Sequence, residues 1–133
     1  MINVIVVGSN PSQSSPDCSN FHIKTRSRII LERWFDGLGC QISYTNVSHH
    51  KTENNRPLTT KEIKNNLLRL EHELKNFDKI VALGDTASKA LSYINLPHFK
   101  MWHPSGRCRH WNDKEKANKK INDLKEYVKE KGL

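Results

Sequence analysis

Short apolar runs alternate along the chain with longer segments in which apolar residues recur at helical spacing. Runs with the length of strands, the last of them the least apolar, are 2–7, 41–47, 79–83 and 98–102. Helical spacing is found over 24–38, 59–74, 85–91 and 112–128. The order β-α-β-α-β-α-β-α predicts a three-layer α/β/α sandwich with a central, mainly parallel four-stranded sheet. We expect residues 1–133 to form one domain.

Polar segments follow three of the predicted strands. They are residues 8–20, 46–56 and 103–112. In open α/β sheets, binding sites lie in the loops at the carboxyl ends of the strands. The sequence therefore predicts that these three loops converge on one site.

Three positions have the chemistry of helix N-caps. Thr59 with Glu62 fits a capping box, in which side chains and backbone satisfy each other's hydrogen bonds. Asp85 could cap the short third helix, and Asn112 could cap the last one. The last helix would bury a stripe formed by Ala117, Ile121, Leu124 and Val128.

Composition narrows the class of protein. The chain is 35% hydrophobic and 27% charged, which is typical of a soluble globular protein, and no apolar run approaches the length of a membrane span. Its apolar start lacks the basic region and cleavage site of a signal peptide. Cys18, Cys40 and Cys108 are widely spaced and form no C-x-x-C pair, which argues against disulfides or a cysteine metal site. We expect a cytoplasmic monomer with no metal, no cofactor and no membrane partner.

The charge is strongly basic and unevenly distributed. The formal net charge is +8, and residues 100–133 contain ten Lys/Arg against five Asp/Glu. Such an excess favours a polyanionic partner, most simply DNA. The alternative is a basic surface that only keeps the protein soluble.

Short motifs that carry chemistry follow three strands. G-S-N-P-S at 8–12 could form a turn from which Asn10 holds a water or a ligand amide, although these residues are also common in ordinary turns. Asn46 offers the acceptor and donors that the edge of a pyrimidine requires, although such a residue can equally bond local backbone. His103 could donate a hydrogen bond to an oxygen that gains negative charge. Arg109 and other cationic or aromatic residues nearby suit phosphates and unstacked bases.

These motifs, in this order, resemble those of the uracil-DNA glycosylase superfamily. Residues 8–12 resemble its first motif, G-x-[DN]-P-[YGS], and H-P-S at 103–105 resembles its second. Similarity to the iron–sulfur branch extends over T-N-V at 45–47, N-R-P at 55–57 with Glu62, and V-A-L-G-D-T-A at 81–87. That branch binds its cluster through four cysteines, which three scattered cysteines do not supply, so no cluster is expected.

The resemblance implies a role for each matching residue. Asn10 would position the attacking water, and His103 would stabilise the O2 oxyanion of the departing base. Phe21 would stack on the flipped base and Asn46 would recognise its edge, with Gly8 and Ser9 also in the base-binding set. The residues expected to contact DNA are Ser12, Ser105, Arg107, Arg109 and Trp111, with Arg107 at the position of the family's wedge into the duplex.

Three functions are compatible with these residues. The first is a monofunctional DNA glycosylase that hydrolyses the N-glycosidic bond of uracil, 5-hydroxymethyluracil or another modified pyrimidine. The second is a catalytically weak or inactive DNA- or base-binding module on the same fold, because Asn10 stands where an acid would act as a base. The third is an enzyme of free nucleotides, which would not need so basic a carboxyl-terminal quarter.

Overall fold

The fold is described from a computed structural model, which describes residues 2–10, 26–53, 56–104 and 109–129. Its sheet has four strands, β1 (Ile2–Gly8), β2 (Cys40–Asn46), β3 (Lys79–Leu83) and β4 (Phe99–Met101). Their order across the sheet is β2-β1-β3-β4, and every pairing is parallel. The predicted four-stranded parallel sheet is therefore confirmed.

Within the described residues, five α-helices connect and follow the strands. They are α1 (Arg26–Phe35), α2 (Thr60–Asn65), α3 (Leu67–Leu74), α4 (Gly84–Tyr93) and α5 (Lys114–Lys129), with a 3-10 helix at Arg109–Asn112 just before α5. The sequence predicted one helical segment over 59–74, whereas the structure divides it at Asn66. There the side-chain amide of Asn66 donates to the Glu62 carbonyl over 2.7 Å, so a side chain interrupts the regular turn. None of the helices in the described ranges is long and apolar enough to cross a membrane.

The helices cover both faces of the sheet, as a three-layer sandwich requires. Alternate residues of β1 point to opposite faces. Ile5 and Val7 pack with α2, α3 and α4, while Val4 and Val6 pack with α1 and α5. Both clusters are made of buried side chains, and β1 is buried from Val4 onward. The sheet is therefore an interior layer, and packing on both of its faces holds the ends of the strands in place.

The helix caps match the predictions only in part. Thr59 and Glu62 form the predicted capping box, with both reciprocal hydrogen bonds present. Asp85 was predicted to cap α4, but this is wrong because its carboxylate pairs with Lys100 and α4 begins one residue earlier, at Gly84. The prediction for Asn112 is also wrong, since the Asp113 carboxylate accepts from the backbone N–H of Lys116 over 3.2 Å.

Candidate active site

Parallel pairing brings the ends of all four strands to one edge of the sheet. Gly8 pairs with Asn46, and Leu83 pairs with Met101 on the far side. Neighbouring strands lie about 4.8 Å apart, so the ends of β1 and β4, with β3 between them, are about 10 Å apart. The segments that follow, which contain Asn10, Asn46 and His103, therefore share the carboxyl edge of the sheet.

The first two loops continue the β1–β2 pairing beyond the strands. The backbone N–H of Val47 donates to the Gly8 carbonyl, and that of Ser48 donates to the Ser9 carbonyl, each over 2.9 Å. Val47 and Ser48 are both buried. Residues 8–10 of the first motif are thus held against the loop after β2, and for the described parts of these two loops the predicted convergence is confirmed.

Asn10 has its side-chain amide oriented by three contacts. Its Nδ2 donates to the carbonyl oxygen of His50 and to Oγ1 of Thr52, both over 3.3 Å. Its Oδ1 accepts from the Ser9 hydroxyl over 2.9 Å. A carbonyl oxygen has two lone pairs, so Oδ1 retains the capacity to accept a further hydrogen bond.

Asn46 ends β2 and is almost wholly buried, with 2% of its surface exposed. Its backbone carbonyl accepts from Nη2 of Arg69 over 3.1 Å, and the carbonyl of Val47 accepts from the same nitrogen. A guanidinium on α3 therefore fixes the backbone where β2 turns into its loop. Recognition of a base by the Asn46 amide stays a prediction.

Glu73 is the centre of a polar network beside Asn46. Its carboxylate accepts from the Thr45 hydroxyl and from Nη1 of Arg69, each over 2.6 Å, and Nε2 of His49 lies 3.6 Å away. Burial raises the pKa of Glu73, but the hydrogen bonds from Thr45 and Arg69 and the charge of Arg69 outweigh it and hold the pKa below its ordinary value. Glu73 is therefore ionised at neutral pH and braces Arg69.

His103 lies just beyond β4, beside the first residue of α4. Burial lowers the pKa of its imidazole below the ordinary value of 6.5, because the charged form would lose its hydration. At neutral pH the ring is therefore uncharged and carries a single N–H donor. Its backbone carbonyl accepts from the indole N–H of Trp111 over 2.8 Å, which fixes the backbone at this position.

Gly84, at the start of α4, lies near His103. Its φ is +82°, in the left-handed region that side chains disfavour, and a Cβ there would lie 4.0 Å from the Cβ of His103. That distance is an ordinary van der Waals contact. Glycine is therefore required by the backbone conformation at the start of α4 rather than by lack of space.

Aromatic rings connect this edge to the core. Trp111 lies between Trp34 and Trp102, with ring centroids 5.5 and 5.1 Å away, and His110 stacks on Trp102 at 4.8 Å. Trp111, predicted as a DNA contact, is half-buried and packs in this row. His110 is exposed at the end of the row. The DNA contact of Trp111 stays a prediction beside this packing role.

Several predicted site residues lie wholly or partly outside the described part of the chain. Phe21, Ser12, Ser105 and Arg107 lie outside the described residues, and of Arg109 only the backbone, at the start of the 3-10 helix, is described. Within the described part of the chain, no group of three or more His, Cys, Asp or Glu side chains could hold a metal ion.

Three residues at this edge were not anticipated from the sequence: Thr52, Arg69 and Glu73. Their partners lie far along the chain, with Thr52 and Asn10 separated by 42 positions and Arg69 and Val47 by 22. On α3, Arg69 and Glu73 have the spacing of a surface ion pair, so the sequence offered no signal that they reach the end of β2.

Comparison with known protein families identifies the family of this chain. The family model described as the uracil DNA glycosylase superfamily matches residues 1–126. A comparison with curated proteins gives no match. The family match covers all four strands and nearly all of α5, and it includes both motifs at the carboxyl edge. The chain belongs to the uracil-DNA glycosylase superfamily.

Proposed function

We propose that this protein is a monofunctional DNA glycosylase. It hydrolyses the N-glycosidic bond of uracil or a modified pyrimidine in DNA and leaves an abasic site. The observation that carries the proposal is the half-buried, uncharged imidazole of His103 at the same edge of the sheet as the oriented amide of Asn10. Family membership supports the reaction class.

The proposed chemistry begins with a base that has left the stack, since its glycosidic bond is not accessible inside a duplex. As the bond from C1′ to the base nitrogen breaks, its electron pair moves into the base and negative charge develops on O2. The imidazole N–H of His103 donates to that oxygen. A donor in a site with little water stabilises such a charge more than it stabilises the uncharged substrate, which lowers the barrier.

Water supplies the nucleophile in this scheme. A water that donates to Oδ1 of Asn10 has a lone pair available to attack C1′, and it releases a proton to solvent as the bond to C1′ forms. An amide cannot accept that proton, so Asn10 orients the water without acting as a general base. The protein therefore forgoes the rate gain of roughly 10² to 10⁴ that a positioned base contributes.

The remaining predicted residues complete the substrate site in this proposal. Phe21 stacks on the flipped base, Asn46 recognises its edge, and Gly8 and Ser9 border it. Ser12 and Ser105 contact phosphates, while Arg107, Arg109 and Trp111 contact the DNA near the vacated position. DNA binds through the basic surface, which accounts for the charge of +8.

The test is base release from labelled oligonucleotides that carry uracil, 5-hydroxymethyluracil or other modified pyrimidines. Each is offered single- and double-stranded, and alkaline cleavage then reveals abasic sites. We expect cleavage at the modified position for at least one member. The absence of product from every member, at enzyme in excess of DNA, would contradict the glycosylase proposal.

A second function is favoured by one observation, the amide at Asn10 in place of a carboxylate. A protein with this site could bind a flipped base or an abasic site without turnover. The same oligonucleotides separate the two functions. Salt-sensitive binding to a modified oligonucleotide without base release would identify a binding module.

A further inference from the structure

Thr52 lies in the loop after β2 and is 4% exposed. Its hydroxyl donates to the backbone carbonyl of Arg56 over 2.7 Å and accepts from Nδ2 of Asn10 over 3.3 Å. A hydroxyl has one proton, and here that proton is directed at Arg56. Thr52 therefore presents only lone pairs to Asn10, so it can pair with the amide nitrogen but not with the amide oxygen.

The contact of Asn10 with the His50 carbonyl requires the same orientation, and the contact with the Ser9 hydroxyl is compatible with it. The carbonyl of His50, 3.3 Å from Nδ2, can only accept, and the Ser9 hydroxyl donates to Oδ1 over 2.9 Å. A carboxamide turned by 180° would bring its oxygen against two acceptors. Each lost or repulsive contact costs free energy, so the contacts with His50 and Thr52 together select one orientation.

We propose that Thr52 is a positioning residue that holds the Asn10 carboxamide with its oxygen directed to the attacking water. This inference rests on the proposed glycosylase function. An inverted amide would offer the water a donor in place of an acceptor. The water would then accept a hydrogen bond from the amide, which makes its oxygen a weaker nucleophile toward C1′, and the reaction would slow without loss of DNA binding.

The position of Thr52 is itself fixed by α2. The two terminal nitrogens of the Arg56 guanidinium, Nη1 and Nη2, donate to the Glu62 carboxylate over 2.7 and 3.2 Å, and Glu62 also closes the capping box with Thr59. The carbonyl that accepts the hydrogen bond from the Thr52 hydroxyl therefore belongs to Arg56, which its contacts with Glu62 hold against the first turn of α2. A continuous set of contacts thus links α2 through Arg56 and Thr52 to Asn10.

The test uses Thr52→Val, which keeps the shape of the side chain but removes the hydroxyl, and Thr52→Ser, which keeps the hydroxyl. With the best substrate of the oligonucleotide panel, we expect kcat of Thr52→Val to fall by about 10- to 100-fold, the scale of a misplaced reacting group. KM and the affinity for DNA should change by less than about twofold, because they do not depend on the oriented water. Thr52→Ser should recover most of the lost kcat.

Thr60→Val is the matched control, since it makes the same change at an exposed threonine in the first turn of α2. It should leave kcat unchanged. An unchanged kcat in Thr52→Val would overturn the proposal. So would an equal loss in Thr52→Ser, or a loss confined to KM, because each would indicate a general loop defect rather than loss of the oriented amide.

A second readout does not depend on turnover. In NMR spectra, assigned with an Asn10→Ala variant, the Asn10 side-chain amide protons should shift and exchange faster in Thr52→Val than in the wild type or Thr60→Val. Unchanged signals would contradict the orienting contact. If the wild type releases no base, the glycosylase proposal fails, and this readout alone decides whether Thr52 orients Asn10.

Discussion

His103 illustrates how the surroundings of one residue set its chemistry. Its imidazole is uncharged at neutral pH because burial penalises the charged form. The N–H of an uncharged ring can stabilise a developing oxyanion without attracting the phosphates of DNA beforehand. The same burial also has a consequence for the stability of the protein.

The stability of the protein should depend on pH through His103. The pKa of this group is lower in the folded chain than its ordinary value of 6.5, so below that value the unfolded chain binds a proton that the folded chain does not. Stability is therefore full above pH 6.5 and is lost as the pH falls toward the folded pKa. We expect the free energy of unfolding, measured by urea denaturation, to fall between pH 7 and pH 5.

The variant His103→Gln isolates this effect because glutamine does not titrate. Its free energy of unfolding should fall less than that of the wild type over the same interval. Carboxylates contribute little there, because the ordinary pKa of a group such as Glu62 is 4.5, below this interval, and the hydrogen bond from Arg56 lowers its folded pKa further, to about 2. Equal losses in the two proteins would mean that His103 is not buried as an uncharged group.

Among the elements, α3 has the clearest influence on the site. Its Arg69 bonds the carbonyls of Asn46 and Val47, and its Glu73 holds both Arg69 and Thr45. This brace links a helix on one face of the sheet to the end of β2. It therefore controls the backbone at which the predicted base-recognition residue lies.

Removal of the Arg69 guanidinium should destabilise the protein by more than the loss of an exposed ion pair would. We expect Arg69→Met to lower the free energy of unfolding by about 1.5–3 kcal/mol, the range for hydrogen bonds that involve a charged group. In a double-mutant cycle with Glu73→Gln, the two losses should not add, because the residues are in contact. Additive losses of a few tenths of a kcal/mol would instead indicate an ordinary exposed pair.

The elements also show what a sequence can and cannot predict. The strands, the capping box at Thr59 and the placement of motifs after strands follow from local periodicity and local hydrogen bonding, and these were predicted correctly. The cap at Asp85 was predicted wrongly because its carboxylate forms an ion pair with Lys100, a residue on β4. The contact between Thr52 and Asn10 could not be predicted, since it depends on how two loops meet.

At the scale of the whole molecule, charge and the direction of α5 determine where DNA can bind. Trp111, just before α5, bonds the carbonyl of His103 at the carboxyl edge, and Tyr127 near its end bonds the backbone of Ile80 at the start of β3. The helix therefore runs from the candidate site to the opposite edge. Lys114 is its first exposed lysine, and the next two, Lys116 and Lys119, lie within its first two turns at the end near the site.

These two lysines should contribute to DNA affinity through phosphates. We expect Lys116→Gln with Lys119→Gln to weaken binding to all sequences and to reduce the slope of log K against log salt by about 1 per lysine. The matched control is Lys75→Gln with Lys129→Gln, which removes the same charge at the opposite edge of the sheet. An equal effect of both pairs would show that DNA affinity depends on the net charge of the protein rather than on the lysines near the start of α5.

The most direct test of the central claim is the single-turnover rate of base release by His103→Ala, measured with saturating enzyme on a substrate that the wild type cleaves. Loss of the donor to the oxyanion should lower the rate by about 10² to 10³ while the affinity for DNA stays within about twofold, because the bond strengthens only in the transition state. A rate equal to that of the wild type would contradict the account and remove His103 from the mechanism.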